Sequence, residues 1–465
     1  MPGPRPSPYT APAIRAISGL QIPADAAIAG RDFLYGVATA SYQIEGATNE
    51  DGRLPCIWDT FSALPGKVLN GDTGEVACDH YHRWETDVDL LASLGVDAYR
   101  MSIAWPRVMD EKGRPNSKGL DFYKRLSARL KKKGLKTFVT LYHWDLPQHL
   151  QDRGGWLNRE TSYRFADYAD LMSRELAGQV DAWATLNEPW CSAFLGHGNG
   201  HHAPGYSSLR YATQAMHHLL LGHGLALRAL RANESSSKKG IVANVGAFTP
   251  ATDSAADVDA AYLGHTFHNQ WVLDPLLKGR YPNDLFRLWP GTEPLSLDGD
   301  LETIAQKIDL LGINYYFRTV VRADDKVGFV EAAPTGVERT AMGWEVYPQG
   351  LRDLLIDFKA RYTNLPPLYI TENGMASDDS VNDGVVADPQ RIRFIERHLQ
   401  AVNEAIGAGV DVRGYFVWSL MDNYEWAFGY ERRFGIIHVD YDTQVRTLKN
   451  SALALRAFLQ ARRAR

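Results

Sequence analysis

Apolar positions along this chain follow two alternating patterns. One is a short, nearly unbroken apolar run. It recurs as "FLYGVAT" (33–39), "DAYRMSI" (97–103), "KTFVTLY" (136–142), "VDAWATLN" (180–187), "GIVANVG" (240–246), "DLLGINYY" (309–316), "PLYITEN" (367–373) and "RGYFVWSL" (413–420). Runs of this length with little polar alternation predict strands buried on both faces, the habit of parallel sheets. The other pattern has the helical period. In "GLRDLLIDFKARY", Leu351, Leu354, Leu355 and Phe358 stand at i, i+3, i+4 and i+7, one stripe of a helix. "HYHRWETDVDLLASLG" carries Trp84, Val88 and Leu91 in the same relation and closes at Gly95. "DPQRIRFIERHLQAVNEAI" carries Ile392, Leu399, Val402 and Ile406, with Asp388 expected to cap and Pro389 suited to the first helical position.

Eight such strands with helices between them predict an α/β chain, a single (β/α)8 TIM barrel with enlarged βα loops. A doubly wound sheet is the rival. It is disfavoured because no GxGxxG follows the first strand and no phosphate-binding loop is present. The stretch "NESSSKKG" (233–240) is expected to be a polar loop ahead of the fifth strand.

The bulk numbers narrow the function classes. At 465 residues the chain suits one enlarged barrel. Residues 1–30 are expected to be a flexible N-terminal tail and residues 31–465 the catalytic domain. The formal net charge of −5 is spread along the chain, with no basic stripe for nucleic acid. No apolar run approaches the ~20 residues that span a membrane. Three cysteines make no disulfide framework, and a cytoplasmic location is the default. Twelve tryptophans supply flat apolar faces of the kind that stack on sugar rings.

In a barrel, reacting groups come from the C-terminal ends of strands. Gln43 and Glu45 follow the first strand and Arg100 lies on the second. His143 and Trp144 end the third, Asn187 and Glu188 the fourth, Asn314 and Tyr316 the sixth. Glu372 ends the seventh, and Trp418 ends the eighth with Glu425 and Trp426 behind it. A carboxylate at the tip of an apolar strand gains nothing from burial. Two of them, Glu188 and Glu372, would face each other across the barrel mouth, an arrangement suited to glycoside hydrolysis.

The stretches "FLYGVATASYQIEGA", "YRMSIAWPRV", "LYHWDLPQHL", "TLNEPW", "LGINYY", "YITENG" and "WSLMDNYEWAFGYERRFGIIHVD" resemble glycoside hydrolase family 1, the β-glucosidase family, from about Phe33 to the C-terminal helix. The resemblance implies a retaining β-glucosidase acting on terminal β-D-glucosyl residues of β-glucosides and short oligosaccharides, in the setting of cellulose degradation. It implies Glu188 as general acid/base and Glu372 as nucleophile. Gln43, His143, Trp144, Asn187, Glu425 and Trp426 would bind the glycone, with Trp418 as its floor and Phe434 packed beside it. Arg100, Asn314 and Tyr316 would hold the nucleophile region, and Trp190 and Trp344 would wall the aglycone site. No metal or organic cofactor is implied, and the partner is a small-molecule glucoside.

Other readings fare worse. A glycan-binding protein of this fold would have lost one of the two carboxylates. A 6-phospho-β-glycosidase would carry a smaller group at position 425, where a carboxylate repels a phosphate dianion. A thioglucosidase would not need the acid at Glu188. His197, His201 and His202 in "HGNGHHAPG" look like metal ligands but sit among Gly and Pro, so a loop shaping the pocket rim is expected. His80 and His82 are read as structural. Cys191 has no base at a suitable spacing to make it a nucleophile.

Overall fold

The computed structural model describes residues 17–233 and 236–465. Its strands are β1 (Leu34–Ala38), β2 (Ala98–Ser102), β3 (Lys136–Tyr142), β4 (Ala182–Asn187), β5 (Lys238–Pro250), β6 (Leu310–Asp324), β7 (Gly328–Glu331), β8 (Leu368–Asn373), β9 (Val412–Trp418) and a small hairpin of β10 (Ile437–Val439) and β11 (Arg446–Leu448). Eight of them pair in parallel in the order β1-β2-β3-β4-β5-β6-β8-β9, and β9 pairs back onto β1. The ring is closed, so the barrel has no free edge. Helices run between successive strands, among them His80–Ser93, Ser117–Lys132, Glu160–Glu175, Leu209–Asn233, Pro348–Arg361 and Pro389–Gly407. The expected TIM barrel is the observed fold.

The barrel strands are buried almost throughout, as unbroken apolar runs require. Inside the ring Phe138 lies 5.6 Å from the Tyr369 ring and 5.0 Å from Phe416, closing its centre. Outside it the helical stripes are packed against the strands. Leu351, Leu354, Leu355 and Phe358 are all buried. On Pro389–Gly407 the buried face is rotated from the expected stripe. Phe394, Ile395, Leu399 and Val402 are inside, whereas Ile392 and Ile406 are half-buried. Pro389 does open this helix, but Asp388 does not cap it. Its carboxylate accepts instead from Arg391 Nη1 at 2.5 Å and Ser451 Oγ at 2.6 Å.

Three further differences follow from tertiary pairing that local pattern does not encode. Lys238, Lys239 and Gly240 belong to β5 rather than to a loop, and the helix before them reaches Asn233; residues 234 and 235 lie outside the described residues. β5 and β6 continue past the barrel rim, pairing as far as Pro250 with Val321, and β7 then folds back antiparallel on β6. Of the segment expected as a tail, residues 1–16 lie outside the described residues. In residues 17–30, Leu20 and Ile28 are buried, and Ile28 O accepts from Tyr35 Oη at 3.0 Å. Packing therefore begins before residue 31.

Gly374, directly behind the Glu372-Asn373 pair, shows what sets the end of β8. A Cβ there would stand 1.7 Å from the carbonyl oxygen of Trp418. The two strand ends approach so closely that no side chain fits between them. Gly374→Ala must push the β8 and β9 ends apart, with an expected loss of about 3 kcal/mol. Thermal unfolding checks it, and turnover should fall with stability, since the shifted ends carry Glu372 and Trp418.

Candidate active site

Strand ends gather the predicted residues at one mouth of the barrel, around a cavity of about 840 Å³. Its lining includes His143, Trp144, Glu188, Trp190, Asn314, Tyr316, Trp344, Glu372, Trp418, Glu425, Trp426 and Phe434. Gln43, Arg100 and Asn187 are buried just behind this lining and bonded to it. Glu45 is not part of the site. Arg107 Nε and Tyr123 Oη bind its carboxylate at 2.9 and 2.5 Å, which pins the loop that carries Gln43.

The two glutamates are joined by a chain of hydrogen bonds. Asn314 Nδ2 donates to Glu188 Oε1 at 2.7 Å and to Asn187 Oδ1 at 3.1 Å. Asn187 Oδ1 also accepts from Arg100 Nη2 at 2.7 Å, and Arg100 Nη1 donates to Glu372 Oε1 at 2.6 Å. Tyr316 Oη donates to Glu372 Oε2 at 2.6 Å. Thr371 Oγ1, on the residue before the nucleophile candidate, fixes Asn314 by donating to its Oδ1 at 2.7 Å. Glu372 is thus ion-paired and held at both oxygens, while Glu188 faces an amide.

The two carboxyls consequently sit in different electrostatic surroundings. Burial first, then the charge of Glu372, pushes Glu188 up to about 8. Like charges in a site of low dielectric cannot both ionise cheaply. The second oxygen of Glu188 accepts from the Cys191 thiol at 3.2 Å. Sequence reasoning weighed Cys191 only as a nucleophile. Its place three residues after Glu188 was the signal, since a tight turn brings Cys191 N to Glu188 O at 2.9 Å and the two side chains together. Glu188 itself sits at φ +48°, as do Trp144 at φ +80° and Trp426 at φ +50°. For residues with a side chain each such backbone costs about 1–3 kcal/mol, a strain that clusters at functional sites.

One amide fixes the imidazole. With Asn187 Oδ1 engaged twice, its Nδ2 donates to His143 Nε2 at 3.0 Å. Nε2 is therefore an acceptor, and the ring proton sits on Nδ1. Burial, followed by the Arg100 charge, holds the imidazolium form well below its ordinary range, so the ring is neutral. His143 Nδ1 and Gln43 Oε1 are buried with no partner among the described residues. They are a donor and an acceptor ready for hydroxyl groups.

Aromatic rings frame the cavity. Trp144 and Trp426 lie 4.5 Å apart, with Trp58 4.6 Å behind Trp426. Trp418 stacks on His143 at 5.9 Å, and Trp344 stacks on Phe317 at 4.8 Å. Trp190 sits 4.3 Å from His268, a wall residue that sequence reasoning missed together with Phe267, Phe317 and Phe329. Phe329 comes from β7, a strand invisible in the apolar pattern. His201 and His202 line the rim as expected, His197 instead donates from Nδ1 to Ser192 O at 2.8 Å, and no metal-holding cluster occurs among the described residues. His80 pairs with Asp87 at 2.9 Å, and His82 pairs with Asp79 at 2.6 Å.

Glu425 corrects one step of the sequence argument. Desolvation at the cavity wall, with the charge of Glu372 behind it, pushes this carboxyl up to about 8, which weakens the repulsion of phosphate expected from a full carboxylate charge. Phosphate is disfavoured here for a different reason. Among the described lining residues the only lysine or arginine is Lys67, which is exposed, and a phosphate dianion needs cationic partners.

Comparison with known proteins gives a consistent setting for this geometry. The sequence model of glycosyl hydrolase family 1 matches residues 27–463. The bifunctional beta-D-glucosidase/beta-D-fucosidase of Bifidobacterium breve is 47% identical over 461 residues, spanning 94% of this chain and 99% of that protein. The 1,4-beta-D-glucan glucohydrolase of Thermotoga neapolitana is 46% identical over 426 residues, spanning 90% of this chain and 95% of its own. The beta-glucosidase of Thermotoga maritima, solved in complex with deoxynojirimycin, superposes with a TM-score of 0.91 at 45% identity, covering 93% of this chain and 98% of that one.

Proposed function

Since the chain belongs to glycosyl hydrolase family 1, we propose that Glu188 and Glu372 carry out a two-step β-glucoside hydrolysis at the barrel mouth. The protein is a retaining β-glucosidase. The observation that carries the residue assignment is the unequal environment of the two carboxyls. Glu372 is ion-paired to Arg100, and Glu188 is held protonated by burial and by Glu372.

In the first step a Glu372 oxygen bonds to the anomeric carbon while the aglycone oxygen leaves with the Glu188 proton. Glu188 is left as a carboxylate. In the second step it takes a proton from water, whose oxygen displaces Glu372 from the opposite face. Both oxygens of Glu372 have donors throughout, from Arg100 and Tyr316, so the departing carboxylate is stabilised as its charge returns. His143 Nδ1–H, Gln43 and Glu425 hold glycone hydroxyls, over the Trp418 face. The exposed rim and Trp190 and Trp344 receive the aglycone. The glucan glucohydrolase relative supports counting short β-glucans, and with them cellulose fragments, among the substrates. Three free, buried cysteines support a cytoplasmic setting. No described helix is long and apolar enough to cross a membrane.

The test is p-nitrophenyl β-glucoside turnover followed by proton NMR. Glucose should appear first as the β anomer. Initial α-glucose overturns the retaining assignment, and faster turnover of the 6-phosphorylated glucoside overturns the substrate assignment. A pH prediction follows from the raised Glu188. The acid form is present below about pH 8 and is lost above it, so kcat/KM should fall tenfold per pH unit on the alkaline side. The value belongs to the interacting pair of glutamates. A rate that keeps rising through pH 9 would contradict the assignment of Glu188 as the acid.

A further inference from the structure

The segment after β9 carries Glu425, Trp426 and Phe434, and the segment after β8 leaves Glu372. Neither is a helix or strand for most of its length, yet both must hold sugar-binding groups in fixed relation. A buried charge cluster lies between them. Asp422 Oδ1 accepts from Lys449 Nζ at 2.7 Å and from Gly435 N at 3.0 Å, and Asp422 Oδ2 accepts from Arg433 Nη1 at 2.8 Å. The same Lys449 Nζ donates to Asp379 Oδ2 at 2.5 Å, and Arg391 Nη2 binds that oxygen at 2.6 Å.

Charge is balanced within the cluster. Asp379, Asp388 and Asp422 face Arg391, Arg433 and Lys449, and the side chains of Lys449, Asp379 and Asp422 are fully buried. A buried ion pair adds little net stability over an apolar filling, so stability alone is a weak reason for six charges here. Geometry offers a stronger one. Lys449 follows β11, and its ammonium is a single point bonded to one carboxylate from each active-site segment.

We propose that Lys449 is a positioning residue for glycone recognition: it ties the Glu372 side of the site to the loop that presents Glu425, and so sets the discrimination for the sugar hydroxyls that Glu425 holds. This rests on the β-glucosidase reading. Lys449 touches no substrate. Asp379 and Asp422 act with it, and Arg391 supports the same join by donating to Arg433 O at 2.9 Å.

The experiment compares kcat/KM for p-nitrophenyl β-glucoside with that for its 4-deoxy and 6-deoxy analogues. Wild type should favour the full glucoside strongly over both. In Lys449→Met the preference should shrink at least tenfold, because the glucoside loses rate while the deoxy analogues lose little. Asp379→Asn keeps the Lys449–Asp422 pair and weakens the bonds of Asp379 to Lys449 and Arg391, and with them the link between segments. It should show the same compression, and it serves if Lys449→Met does not fold. Leu399→Ala, a packing change on the Pro389–Gly407 helix, provides a variant of lowered melting temperature, and it should keep the wild-type ratio. Folded Lys449→Met or Asp379→Asn with the ratio within twofold of wild type overturns the proposal and leaves the cluster a matter of stability. Absence of glucoside turnover by wild type would instead overturn the underlying function.

Discussion

Glu372→Ala should lose on the order of 10⁵-fold in kcat, because no other carboxylate lining the cavity is held by Arg100 and Tyr316 as Glu372 is. Glu188→Ala should lose far less on an aryl glucoside whose leaving group departs without a proton, and far more on an alkyl glucoside. Azide separates the two roles. In Glu372→Ala it can enter on the α face and attack once, giving an α-glucosyl azide. In Glu188→Ala the glucosyl-enzyme still forms and lacks a base for water, so azide intercepts it from the β face. The anomeric proton coupling identifies each product. A β-azide from Glu372→Ala, with an α-azide from Glu188→Ala, would mean that the roles are exchanged. The unequal hydrogen bonding predicts otherwise, since an ion-paired carboxylate with two donors is placed to attack and a buried, proton-holding one to donate.

Arg100→Met should have the next largest cost, through two routes. The Arg100 side chain is buried, and its guanidinium donates to Thr140 Oγ1, Thr371 O, Asn187 Oδ1 and Glu372 Oε1. Removing it strands a buried carboxylate, a loss of about 3–5 kcal/mol. It also frees Asn187, whose amide sets the His143 tautomer, so glycone binding should weaken along with turnover. Arg100→Lys should not restore activity, because an ammonium cannot span Asn187 and Glu372 with the fork of a guanidinium. Thermal unfolding and kcat/KM measured together check this. Wild-type kcat/KM in a destabilised Arg100→Met would mean that the arginine serves the barrel rather than the chemistry.

Much of this site is legible in the chain because its members stand at strand ends, and strands announce themselves by composition. Glu188 and Glu372 are visible as charges that apolar runs have no reason to end on. Arg100 is visible as the one cation in the run 97–103. What stays hidden depends on contacts between distant segments. β7 is a short strand that exists because β6 overshoots the barrel, and only pairing reveals it. Asp388 reads locally as a helix cap, yet Arg391 and Ser451 offer its carboxylate more than the helix start does. The upward push on the Glu425 carboxyl is hidden for a similar reason, because its neighbours Glu372 and Glu188 come from other strands.

The ring of indoles around the cavity makes the protein its own optical reporter. Five of the twelve tryptophans, Trp144, Trp190, Trp344, Trp418 and Trp426, line the cavity at the barrel mouth. A ligand that displaces water from those faces changes the polarity around nearly half of the emitting groups at once. Intrinsic fluorescence should therefore shift on titration with a non-hydrolysable glucose mimic such as deoxynojirimycin, without any label. Trp418→Phe should diminish the shift, and Trp183→Phe, a fully buried residue on β4, should leave it unchanged.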